Sequence, residues 1–141
     1  MSKGEGTDLD GNALDGPAKA VYFETLNNPL LQVNNVRRIA AIAHRYGAIV
    51  IVDNTFVTPY LQQPLDLGAD IVIHSATKYL SGHSDVIAGL VVTVDDGLAK
   101  RIYYSQNRLG GVLAPAACDA VRRGIQTLSL RMDHEQENAQ A

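Results

Sequence analysis

The chain has 141 residues, of which 46% are hydrophobic and 19% charged; that length suits one domain or part of one, and that composition suits a packed core rather than a disordered chain. A net charge of -3 gives no basic footprint for nucleic acid, and no run of like charge marks a membrane-binding surface. The lone cysteine, Cys118, excludes an internal disulfide and any CxxC or zinc pattern. Met1–Gly16 lacks the basic and apolar regions of a signal peptide, and no apolar run approaches the roughly 20 residues of a membrane span, so a soluble, cytoplasmic protein is expected.

In chain order, Met1–Gly16 is polar and glycine-rich, and residues 1–18 read as a lead-in of uncertain structure. Ala20–Phe23 reads as a buried strand leading into Glu24-Thr25-Leu26-Asn27-Asn28-Pro29. The X-Pro bond lowers the cis penalty to about 0.5–1 kcal/mol, which admits a cis Asn28–Pro29 peptide. Asn34 or Asn35 can cap a helix whose apolar positions, Val36, Ile39, Ala40, Ala43 and Tyr46, recur at three and four, and Gly47 can close it. The apolar run Ala48–Val52 follows, so strand, helix and strand form a βαβ unit with parallel strands. A loop from Thr55 to Pro64, a helical turn over Leu65–Gly68 and a strand over Ala69–His74 come next. Ile87–Val94 is a further strand, too close behind for a long crossover and therefore open to antiparallel pairing. A helix is expected over Leu98–Tyr104. A last long helix should open at Pro115 with Cys118, Val121, Ile125, Leu128 and Met132 as its packed stripe.

Two points carry chemistry. Lys78 follows the third apolar run, flanked by Ser75 and Thr77, ahead of the polar turn Gly82-His83-Ser84-Asp85. A lysine amine adds to carbonyls once deprotonated, and partial burial favours its neutral form. Hydroxyls at Ser75 and Thr77 would project to one side of an extended chain and could donate to phosphate oxygens beside the amine. The same segment reads equally as an ordinary Ser/Thr turn with a solvated lysine. Asp53, which ends the second run, lies where ligands gather in open α/β sheets. A carboxylate there suits the ring nitrogen of pyridoxal phosphate, because keeping that nitrogen protonated makes the ring an electron sink. Its plainer reading is a helix cap or Asx turn in Asp53-Asn54-Thr55. His74, His83 and Asp85 lack a repeated metal-ligand spacing, and local hydrogen bonding is the better reading of them.

Taken together, Val52-Asp53-Asn54-Thr55-Phe56, Pro59, Pro64, Gly68-Ala69-Asp70, Ser75-Ala76-Thr77-Lys78-Tyr79 and Gly82-His83-Ser84-Asp85 resemble the Cys/Met-metabolism family of pyridoxal-phosphate enzymes. The resemblance runs on through Gln106–Gly110, Arg123–Leu128 and Leu130-Arg131-Met132. It implies an α/β chain of the fold type I PLP-dependent transferase class, with a mostly parallel sheet flanked by helices. It implies pyridoxal 5'-phosphate as cofactor, and β/γ-elimination or replacement on cysteine- or homoserine-derived amino acids. Lys78 would hold the cofactor and move protons on the substrate, Asp53 would face the ring nitrogen, and Ser75 and Thr77 would bind the phosphate. Thr55 would support Asp53, and Asn28, in a loop where Leu26 stands for the family's usual proline, would lie near the ring hydroxyl; alone, Asn28 also reads as an Asx turn.

The family's glycine-containing phosphate loop, ring-stacking tyrosine and substrate-carboxylate arginine have no counterpart here. Residues 19–141 are therefore expected to be the central part of the large cofactor-binding domain, without its N-terminal segment or the small C-terminal domain. The complete protein would be a homo-oligomer acting on a small amino-acid substrate, with no nucleic-acid or membrane partner. A catalytically silent piece that associates with full-length subunits, and another fold type I enzyme such as an aminotransferase, are the alternative readings.

Overall fold

The computed structural model describes residues 18–141; most of the expected lead-in lies outside the described residues. Four strands, β1 (Ala20–Glu24), β2 (Ile49–Asp53), β3 (Ile71–Ser75) and β4 (Gly89–Val92), form one sheet in chain order. The first three are parallel, in the register Tyr22↔Ile51, Glu24↔Asp53 and Asp53↔Ile73. β4 is antiparallel to β3, as its short connection requires. The expected βαβ unit is present, with α1 (Val36–Arg45) crossing between β1 and β2. Asn35 caps α1 by accepting the Arg38 N–H at 3.0 Å, and Gly47, at φ +71°, lets the chain turn back into β2.

Alternation along β2 decides what each face of the sheet does. Val50 and Val52 are fully buried against Val36, Ala40 and Ala43 of α1, with Val21 and Phe23 of β1 completing this core. Burying each such valine contributes about 1.5–3 kcal/mol, so this face anchors the fold. The other face carries Tyr22, Ile51, Asp53, Ile73 and Ser75. β1 is therefore not the buried strand its composition suggests: its residues are exposed or half-buried, and Tyr22 is 58% exposed.

Between β2 and β3 the expected loop contains a short helix, α2 (Thr58–Leu61), and then the expected helical turn, a 3-10 turn over Pro64–Leu67. α3 spans Asp96–Leu109, longer than its apolar pattern indicates. It is capped by Asp95 through the Leu98 N–H at 2.7 Å and ends at Gly110, at φ +71°.

The long last helix is instead two helices, α4 (Pro115–Gln126) and α5 (Leu128–Gln140), broken at Thr127. The reason is the Gly124 carbonyl, which accepts from the Thr127 N–H, the Thr127 hydroxyl and the Arg131 guanidinium, partners that replace the helical N–H of residue 128. Cys118 and Ile125, expected in the packed stripe, are exposed. Val121, Leu128 and Met132 are buried with Ala76, Leu80 and Ala88 in a second core beneath the turn that bears Lys78.

Glycine is required at position 124 in this core. A Cβ there would lie 2.3 Å from the Ser81 carbonyl oxygen and 2.5 Å from that of Leu80. Overpacking costs about 1–3 kcal/mol, and the better helix propensity of alanine returns up to about 1 kcal/mol. Gly124→Ala should thus lower stability by about 1–2 kcal/mol. Thermal unfolding beside Gly111→Ala, whose nearest outside atom is 4.0 Å away, checks this; a Gly124→Ala melting temperature at or above the parent's would show that α4 can move freely off the turn.

Candidate active site

The C-terminal ends of β2 and β3 bring most of the expected residues to one edge of the sheet. Asp53 closes β2 and is half-buried; its Oδ1 accepts the Thr55 N–H at 3.0 Å and the Thr55 hydroxyl at 2.5 Å. The expected Asx turn therefore exists, and it uses one carboxylate oxygen. The other, Oδ2, accepts from the Tyr22 hydroxyl at 3.1 Å. Thr55 Oγ1 in turn accepts the Ser75 N–H at 2.8 Å. Thr55 thus ties the acid of one strand to the end of the next.

β3 stops at Ser75, and Ala76–Leu80 turns back over Ala88. Ser75 and Thr77 consequently do not share one face of an extended chain. Thr77 is held within the turn: its hydroxyl donates to the Ala88 carbonyl at 3.2 Å and accepts the Ala88 N–H at 2.9 Å. Lys78 follows at the apex, closed by Gly82 N–H to Lys78 carbonyl at 2.9 Å. Partial burial of its amine is not found, for Lys78 is exposed. It stands on the rim of an open cavity of about 660 Å³, lined also by Phe56, Tyr79, Asp85, Arg131 and Glu135. Asp53 and Ser75 do not line that cavity, whose wall includes the Phe56–Tyr79 pair, with rings meeting edge to face at 6.5 Å.

Asn28 stands apart. Its peptide to Pro29 is cis. The residue is exposed, its N–H donating to Glu24 Oε2 at 2.9 Å, with no hydrogen bond to Asp53, Thr55 or Ser75 among the described residues. His83 Nδ1 lies 2.6 Å from the Ser81 carbonyl and must donate to it, the local bonding expected for that histidine.

Two groups missed by sequence reasoning shape this edge. Asn54 is fully buried; its Oδ1 accepts from the Thr25 hydroxyl at 2.9 Å, and its Nδ2 donates to the carbonyls of Thr58 and Gln62, both at 3.0 Å. Arg131 lies on Gly82, where a Cβ would come 2.4 Å from its Nη1. No periodicity announces either, since Asn54 gathers irregular loop carbonyls with the distant Thr25 and Arg131 reaches Gly82 from another element.

His74, in β3, is buried with Nδ1 lacking a partner among the described residues. Burial pushes its pKa below the ordinary 6.5, against the smaller opposing effects of the Asp53 charge and the Asn54 backbone. The folded state then binds its proton less readily than the unfolded state. The stability contributed by neutral His74 is complete above pH 6.5 and is lost as pH falls through the folded pKa. Denaturant unfolding between neutral and mildly acidic pH should show this loss in the parent and a flatter profile in His74→Leu; parallel profiles would contradict it.

Parallel strands ending in an acid, beside a hydroxyl-flanked lysine presented on a tight turn, make up this edge of the sheet, and comparison with known proteins gives its family. The sequence pattern of the Cys/Met metabolism PLP-dependent enzymes matches residues 7–141, and the chain belongs to that family. Cystathionine beta-lyase of Lactococcus lactis subsp. cremoris (strain MG1363) is 59% identical over 122 residues, 86% of this chain and 32% of the relative. Cystathionine gamma-synthase of Haemophilus influenzae is 50% identical over 129 residues, 92% of this chain and 35% of the relative. The crystal structure of cystathionine gamma-lyase from Lactobacillus plantarum complexed with L-serine superposes with a TM-score of 0.78 at 52% identity, covering 79% of this chain and 29% of that one. The chain spans about a third of the length of these relatives. Its fold is that of the PLP-dependent cystathionine enzymes, with a mixed, mostly parallel sheet and packed helices, and pyridoxal phosphate is the cofactor that defines the family.

Proposed function

We propose that residues 19–141 form the central part of the cofactor-binding domain of a lyase or transferase of sulfur amino-acid metabolism, acting by elimination or replacement at the β or γ carbon of cysteine- or homoserine-derived amino acids. The observation that carries this reading is the joint placement of an exposed Lys78 amine on a cavity rim and an Asp53 carboxylate locked by Thr55 at the end of the adjacent parallel strand. The residues fit the group. Lys78 Nζ is free to reach an aldehyde carbon and, when neutral, to take and return a proton beside it. Asp53 keeps Oδ2 directed away from the Asx turn, where a protonated ring nitrogen can be paired. Ser75 supplies a hydroxyl for a phosphate oxygen; Thr77, whose single hydroxyl hydrogen goes to the Ala88 carbonyl, would donate to a second phosphate oxygen by turning away from that carbonyl. Bound there, pyridoxal phosphate would supply an electron sink for carbanion character at the substrate α carbon. Asn28, exposed in the loop after β1, would lie near the ring hydroxyl.

The relatives' names include both lyases and a synthase, so elimination and replacement both stay within the proposal. No helix among the described residues is long and apolar enough to cross a membrane; a cytoplasmic setting and a homo-oligomeric complete protein are part of the same reading. A second reading, a silent domain that pairs with full-length subunits, draws on the exposed Ile87, Val94 and Leu109, at 88%, 82% and 86%. A visible absorption spectrum of the chain with added pyridoxal phosphate separates the two. The first reading requires a saturable visible band that Lys78→Ala abolishes, and a spectrum identical in the parent and Lys78→Ala would sink it.

A further inference from the structure

We propose that Tyr22 is a positioning residue for the Asp53 carboxylate, holding Oδ2 in the orientation from which it meets the cofactor's ring nitrogen. This inference rests on the reading of Asp53 given above and adds a residue to it. Oδ1 is committed to the Thr55 N–H and hydroxyl at 3.0 and 2.5 Å, so the carboxylate cannot rotate without breaking two bonds. Oδ2 is left with two lone pairs, and the Tyr22 hydroxyl donates to one of them at 3.1 Å. The other stays available for an incoming N–H.

The strand register explains the reach. Tyr22 is paired with Ile51, one same-face position before Asp53, and side chains in strands lean along the strand. The tyrosine is no core residue: at 58% exposure it contributes little burial, and the bond to Asp53 is what fixes its ring. Burial, and then the Asp53 charge and hydrogen bond, raise the Tyr22 pKa above its ordinary 10.0, so the hydroxyl remains a donor through neutral pH. A phenylalanine here would preserve the packing and the strand while releasing Oδ2.

The test uses the full chain in two parts. In the unliganded protein carrying ring-labelled tyrosine, an NMR pH titration should show Tyr22 ionising above 10 in the parent and nearer 10 in Asp53→Asn; equal titrations would overturn the contact. With pyridoxal phosphate added, Tyr22→Phe should bind roughly fivefold more weakly, the loss of one hydrogen bond to the carboxylate, and its visible band should shift. Cofactor uptake on Lys78 with the parent's affinity and band in Tyr22→Phe would overturn the inference while leaving the reading of the site intact. Failure of the parent itself to take up cofactor on Lys78 would instead remove that reading, and this inference with it.

Discussion

Asp53→Asn is expected to bind pyridoxal phosphate about tenfold to a hundredfold more weakly than the parent while unfolding at nearly the same denaturant concentration. The affinity loss follows from removing the charge that pairs with a protonated ring nitrogen, a charge-assisted contact of about 1.5–3 kcal/mol. Stability is preserved because the amide oxygen can still accept the Thr55 N–H and hydroxyl that now meet Oδ1. Asp53→Ala should show the same affinity loss together with a stability loss of about 1–3 kcal/mol, since the buried Thr55 N–H then has no acceptor. Cofactor titration and urea unfolding of the two variants check both halves. Parent-like affinity in Asp53→Asn would remove the carboxylate from the cofactor's ring.

The largest loss of stability is expected at the next residue. Asn54→Ala should cost about 3–4 kcal/mol, because it strands the Thr25 hydroxyl and the Gln62 carbonyl and leaves the Thr58 carbonyl with only the Gln62 N–H, and each buried polar group left unpaired costs about 1–3 kcal/mol. Asn35→Ala, which removes only the cap of α1, should cost about 1 kcal/mol. Urea unfolding of the pair measures the difference. Equal losses would mean that water or a rearranged Gln62 side chain, which already donates to Thr25 Oγ1 at 3.3 Å, takes over from Asn54.

The contrast between these neighbours shows where sequence reading succeeds and where it stops. The β1-α1-β2 unit is legible because its signals are local: Asn35 before the helix, Gly47 after it, and an apolar run that ends at an acid. The antiparallel β4 follows from the length of the connection from β3. The break at Thr127 is hidden because the apolar stripe continues through it without Gly or Pro at the junction; three donors gathered on one carbonyl make the break. Thr77 illustrates the same limit, since its position beside Lys78 shows its hydroxyl but not the Ala88 main chain that holds it. Tyr22 lies 31 residues from Asp53, and only the parallel register joins them. The exposure of Lys78 could not be read from flanking apolar residues, because the turn lifts the amine away from the strand they form.

The most direct test of the central claim is borohydride reduction of the chain with pyridoxal phosphate, followed by peptide mapping of the label. The sequence contains four lysines, Lys3, Lys19, Lys78 and Lys100, so attachment can be assigned without ambiguity. Label confined to Lys78, at one equivalent per chain, is the predicted result. Label spread over Lys3, Lys19 and Lys100 as readily as Lys78 would contradict the account.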